Sequence, residues 1–175
     1  MEMKDLLKLK IVTNFSEKQL KLLKYLSINI FLLVLPFISD NQLITGSIVN
    51  ALIIYLAINY KRSIIPAIFI PSIATLFKGL IFGSFTIYLV YYLPIIWFSN
   101  YILIYVIKFL VSKKLNNIIS ITLAVILKFL ILFFVTLIYI NVLKLPNIFL
   151  NAMGFLQLIT GIIGMIIFVI ISKIN

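Results

Sequence analysis

The feature that most constrains this chain is a succession of apolar stretches, each about long enough to cross a bilayer and parted from the next by a short polar break. At about 1.5 Å rise per residue, some 20 apolar residues span a hydrocarbon core of about 30 Å. The breaks are Asp40-Asn41, Lys61-Arg62-Ser63, Gly83-Ser84, Lys113 to Asn117 and Leu145-Pro146, and each supplies charge, amide, Gly or Pro. They set six spans at about 22–39, 42–60, 64–82, 85–110, 118–143 and 147–172. Turns this short make successive helices antiparallel neighbours. The expected fold class is all-α, an integral membrane bundle of six transmembrane helices.

Composition points the same way. Hydrophobic residues fill 64% of the 175 positions and mean hydropathy is +1.26, too apolar to cover a soluble core with a polar surface. Residues 16–175 read as a single six-helix transmembrane domain with no room for a soluble one. A net charge of +11 would suggest nucleic acid in a soluble protein. Here the basic residues sit mainly at the ends of apolar stretches, so the expected partner is the lipid bilayer and not nucleic acid. Cys and His are both absent, which removes disulfides, thiolate nucleophiles, imidazole bases and the usual ligands of zinc, haem and iron–sulfur clusters. No cofactor or metal is expected. Arg62 is the single Arg among 15 basic residues, and with the abundance of Ile, Asn, Phe, Tyr and Lys this points to an AT-rich bacterial genome.

Residues 1–15 carry Lys4, Lys8 and Lys10 among Leu and Ile, which fits either a cytoplasmic amphipathic segment or a frayed tail. Ser16 and Gln19 have capping-box spacing and mark the start of the first helix. That helix has basic residues before it, as in a signal peptide, but no small-x-small site follows it, so it reads as retained. Pro94, inside the fourth span, removes the bond its N–H would give to Val90.

Orientation follows from the loops. The N-terminal segment holds six Lys (4, 8, 10, 18, 21 and 24), Lys61 and Arg62 lie in the second loop, Lys113 and Lys114 in the fourth beside Lys108, and Lys173 in the tail. The alternate loops offer Asp40, a neutral Gly83-Ser84 turn and Lys144. The positive-inside rule then places both termini in the cytoplasm of a multi-pass protein of the bacterial plasma membrane.

Lys78 and Lys128 fall inside spans, where a cation costs about 3 kcal/mol on insertion scales. Only four acidic residues exist, and of these only Asp40 lies beyond the N-terminal region, at the end of the first helix. A bound anion is one source of the missing counter-charge. Lys78 lies about four residues from the end of its span, so it either faces a site or snorkels and reaches Asp40. Lys128 is deeper, and anion binding competes there with an inward snorkel or a carbonyl partner. Asn50, Asn100 and Gln157 fall at a similar depth, which makes a shared polar chamber an alternative to separate interhelical hydrogen bonds. Trp97 and Tyr91 flank Pro94, where aromatic faces can stack on a planar ligand, whereas Tyr88, Tyr91 and Tyr92 fit an interfacial belt. Gly79 and Gly83 form GxxxG, Ser47 and Ala51 a small-xxx-small pair, and Gly161 and Gly164 a further small patch, all suited to close helix packing.

Missing motifs narrow the function. No GxxxxGK[ST] pattern exists, so any ATP-driven work belongs to another subunit. No carboxylate lies within a span for a proton relay, and no GxSxG context supports a serine hydrolase with a Lys base. An enzyme is not expected.

The layout resembles the substrate-binding S component of an energy-coupling factor (ECF) transporter, a small, basic, six-helix bacterial membrane protein without its own ATPase. More locally, NQLITGSIVNA (41–51), IPAIFIPSIA (65–74), YLPIIWFSN (92–100) and AMGFLQLITG (152–161) are similar to a group of small clostridial-type membrane proteins related to those S components. Some of these carry the label "iron hydrogenase", a chemistry this chain lacks the Cys ligands to support. The resemblance implies a vitamin-like small molecule buried near the outer face between helices 4 to 6, and a transmembrane coupling subunit with two cytoplasmic ATPases docked on the first three helices. By location it makes Trp97, Asn100, Lys128, Asn151 and Gln157, with Lys78, the substrate-binding candidates. Many S components meet the coupling subunit through an AxxxA face on helix 1, but helix 1 here has no Ala, so Ser47, Ala51, Gly79 and Gly83 become the docking candidates. The leading expectation is a binding subunit for uptake of a small, anionic solute. The alternative is a structural or assembly protein that docks a partner complex and binds no solute.

Overall fold

The structure is a computed structural model, and it describes residues 16–60, 64–82 and 86–174. The expectations for residues 1–15, for Lys61 and Arg62 and for Gly83 lie outside the described residues. Within them the chain is helical throughout its elements, with no strand. The helices are α1 (Glu17–Ile38), α2 (Gln42–Asn59), α3 (Ile65–Phe82), α4 (Thr86–Ser112), α5 (Asn117–Leu143) and a final rod, α6, made of Ile148–Leu150, a π-helical turn at Asn151–Phe155 and Leu156–Ile174.

Five of these rods, all except α3, contain stretches long and apolar enough to cross a membrane. In α3 the Ile65–Gly79 segment is apolar but shorter. The bundle also wears its apolar residues outside, with Ile30 61%, Ile38 69% and Val142 70% exposed. That is the profile of a multi-pass membrane protein, for which lipid is the surrounding solvent.

Local sequence explains where the helices begin and end. Ser16 and Gln19 form the reciprocal capping box of α1, with the Ser16 amide donating to Gln19 Oε1 at 2.8 Å and the Gln19 amide to Ser16 Oγ at 3.3 Å. Asn41 Oδ1 accepts from the amides of Leu43 and Ile44 and so starts α2 only three residues after α1 ends. Asn116 Oδ1 accepts from the Ile118 amide at the head of α5. Lys114 and Lys144 take left-handed backbone angles, φ 62° and 54°, in the turns that follow α4 and α5.

The helices pack in the ring order α1–α3–α4–α5–α6–α2, closing back on α1, and α2 also reaches across to α4. The most extensive pairing is α2 with α6. It depends on small residues: a Cβ on Gly164 would lie 2.8 Å from Asn50 Cβ and 2.9 Å from both the Ala51 nitrogen and the Ser47 oxygen. Ser47 and Ala51, expected as a docking face for a partner, are each 3% exposed. This corrects the expectation, because the pair is buried against the chain's own α6.

Leu32, Ile53, Leu56, Leu103, Ile107, Ile121 and Phe168 belong to one apolar cluster that fills the half of the bundle toward the start of α1 and the end of α6. Tyr92, Leu145, Phe149 and Met153 form a smaller cluster at the opposite end. Tyr92 is 0% exposed and stacks on Phe149 with ring centroids 5.5 Å apart. It is thus a core residue and not part of an interfacial belt.

Since backbone on α2 cannot retreat from an added side chain, Gly164→Val is expected to destabilise the protein by about 1–3 kcal/mol. Thermal unfolding in detergent micelles checks this, and an unchanged midpoint would show that the contact is not needed.

Candidate functional site

A cavity of about 410 Å³ occupies the half of the bundle that the larger apolar cluster leaves unfilled. All six helices contribute to its wall, and it runs from Asp40 and Lys78 at one end of the bundle to Asn50, Asn100 and Lys128 near mid-length. Asp40, at the mouth, has a side chain 83% exposed.

The floor is built from α2 and α6 outward. Because Gly164 lets the two backbones close up, Asn50 lies beside Thr160, and Asn50 Nδ2 donates to Thr160 Oγ1 at 3.2 Å. That bond turns Asn50 Oδ1 away from α6, where it accepts from Lys128 Nζ of α5 at 2.8 Å. Lys128 is 5% exposed and Asn50 2%. An amide oxygen thus takes the place of the carboxylate that a buried ammonium ordinarily finds.

Asn100 closes the floor from α4. Its Nδ2 donates to the Ile68 carbonyl at 3.3 Å, tying α4 to α3. Its Oδ1 is buried and has no hydrogen-bond partner among the described residues. Gln157 of α6 also lines the cavity, one turn from Thr160.

At the mouth, Lys78 Nζ pairs with Asp40 at 2.6 Å and donates to the Ser39 carbonyl at 2.6 Å. The reach to Asp40 anticipated for Lys78 is therefore made, although its side chain is only 13% exposed. Gln42 Nε2 donates to the Ala152 carbonyl at 2.8 Å, inside the π-helical turn. A π turn displaces the regular i→i+4 ladder, here by a bond from the Leu156 amide to the Asn151 carbonyl. The widened turn sets Met153 into the cavity wall and presents a carbonyl to α2.

The structure brings Lys78, Asn100, Lys128 and Gln157 into one cavity. Two other candidates lie elsewhere. Trp97 does not line the cavity; its Nε1 donates to Ser72 Oγ at 2.7 Å and its ring meets Phe69 edge-on at 4.8 Å, so it joins α4 to α3. Asn151 is exposed at the first position of the π turn. Gly79 lines the mouth beside Lys78. Asn50 emerges as the central partner, more than a residue at matching depth. Thr160 is added by the structure, and Gly161 and Gly164, one and four residues from it, were its only sequence signal.

Comparison with protein families, with curated proteins and with solved structures returns no match.

The arrangement ties a buried lysine to an amide oxygen in the wall of a cavity inside an apolar bundle. Asn50→Leu, which strands the Lys128 ammonium, is expected to cost about 1.5–3 kcal/mol. Adding Lys128→Met to that variant is expected to restore most of the loss. Chemical denaturation of the single and double variants reads the coupling, and additive effects would dissolve the proposed pair.

Proposed function

We propose that this chain is the solute-binding subunit of a membrane uptake system, crossing the bacterial plasma membrane six times with both termini in the cytoplasm. In this reading α3 is the sixth span and the cavity mouth at Asp40 and Lys78 faces outward. The positive-inside distribution of Lys and Arg supports that orientation. The solute is small and anionic, and the chain works as a binding protein without catalysis of its own. Separate coupling and ATPase subunits supply the energy, since no nucleotide-binding loop lies in this sequence. The resemblance of its segments to S-component-related proteins supports the same division of labour.

The observation that carries the reading is Lys128. It is buried at the floor of a 410 Å³ cavity, its one described partner is a neutral amide, and the only carboxylate lining the cavity among the described residues is already paired at the mouth. An entering anion gains a charge-assisted hydrogen bond worth about 1.5–3 kcal/mol there. Accordingly, Lys128→Met is expected to weaken binding of anionic solutes by about 10- to 100-fold. Equilibrium binding to the purified protein measures this, and an unchanged affinity would remove the role. A reporter fused after Asn175 tests the topology, with an extracellular signal contradicting it.

A second reading has its own support. The contacts of Asn50 with Thr160, Trp97 with Ser72 and Asn100 with Ile68 all join neighbouring helices, as they would in a structural or assembly protein. Co-purification from the native membrane separates the two. A coupling subunit with ATPases favours uptake, and another membrane complex with no solute favours assembly.

A further inference from the structure

Beside the floor of the cavity lies an unsatisfied acceptor as well as a lysine. Lys128 Nζ has three protons and gives one to Asn50 Oδ1. Asn100 is 3% exposed and lines the same cavity, yet its Oδ1 is buried with no hydrogen-bond partner among the described residues. Turning the amide over does not cure this, because Oδ1 would then face the Ile68 carbonyl and set acceptor against acceptor. The Ile68 carbonyl therefore fixes which atom of Asn100 is left over. Buried acceptors without partners are rare in folded proteins, and each one needs a reason.

We infer that the solute carries two recognition groups, an anionic group for Lys128 and an N–H or O–H donor for Asn100 Oδ1. The inference rests on reading the cavity as a solute site. Val49, Leu89, Ile96 and Met153 supply apolar wall, so the body joining the two groups is apolar or aromatic. A volume of about 410 Å³ suits one or two fused rings with a short acid arm. A fatty acid or simple dicarboxylate would leave Asn100 Oδ1 dry and unpaired. A nucleotide-like polyanion would bring more negative charge than the single uncommitted lysine can answer. A site that hydrogen-bonds a donor strongly rejects an analogue lacking it, whereas an added methylene in an apolar pocket changes affinity far less.

Three probes test this on the full-length protein in lipid nanodiscs: indole-3-propionate, its N-methyl analogue and indole-3-propionamide. Titration calorimetry is expected to show the parent acid binding at least tenfold more tightly than either analogue. In Asn100→Leu the N-methyl penalty is expected to fall below twofold, which separates a lost hydrogen bond from a steric clash. In Lys128→Met the preference for acid over amide is expected to vanish. Equal binding of the parent and N-methyl acids to the wild type would overturn the donor requirement and leave the anion site standing. If neither acid binds, or Lys128→Met binds the acid unchanged, the solute-site reading fails and takes this inference with it. The wild-type comparison decides the matter should Asn100→Leu fail to fold.

Discussion

The close approach of α6 to α2 at Gly164 is the contact on which the cavity floor depends. In lipid there is little hydrophobic gain from bringing two apolar helices together, so packing and interhelical hydrogen bonds must do it. Gly164 meets Ser47, Asn50 and Ala51, Gly46 meets Thr160, and Gly161 meets Val125 of α5. A side chain at Gly164 would push α6 outward and separate Thr160 from Asn50. The Asn50 amide would then be free to rotate, and Lys128 would lose the oriented oxygen that receives its proton. One missing Cβ is thus linked, through two hydrogen bonds, to a cation held near the middle of the bundle.

The division of the bundle into a filled and a hollow half follows from where bulky and polar residues fall on the helices. Ile, Leu and Val on the second half of α2, the second half of α4 and the first half of α5 interlock into one apolar cluster. Toward the other end, Gly46, Thr45 and Gly79 replace them on the inner faces, and Pro36 and Pro71 enter the wall. Pro71 has no N–H to give to the Ala67 carbonyl, which relaxes the α3 ladder beside the cavity. The π turn of α6 adds a second irregularity in the cavity wall. Irregular backbone is tolerated at such depth where it lines a cavity or is buried in protein, away from lipid.

Much of this was legible in the sequence. The helix boundaries were, because charge, amide and Gly or Pro breaks cut the apolar runs, and the Ser16–Gln19 spacing located the start of α1 directly. The depth match of Asn50, Asn100, Lys128 and Gln157 followed from counting residues along antiparallel rods, and all four line the cavity. Rotation about the helix axis was not legible. Nearly every face of α2, α4 and α5 is apolar, so periodicity does not say which side turns inward. Hence Trp97 and Asn151 shared the right level with the site but not its direction, while Ser47 and Ala51 faced α6. The π turn, which shifts the register of Asn151 against Gln157, has no signature in the local residues.

The two lysines that line the cavity show how scarcity of acid shapes the electrostatics. Asp40 neutralises Lys78 where both can still reach the end of the bundle, and that pairing uses the only carboxylate that lines the cavity among the described residues. Lys128 is left to an amide. A carboxylate in place of Asn50 would have stabilised the ammonium more strongly, but it would also have cancelled its field and closed the floor to any anion. An amide solvates a cation without neutralising it. The floor therefore keeps the lysine as a hydrogen-bond donor inside apolar walls, where such a bond is electrostatically stronger than the one the same lysine would make at a water-exposed surface.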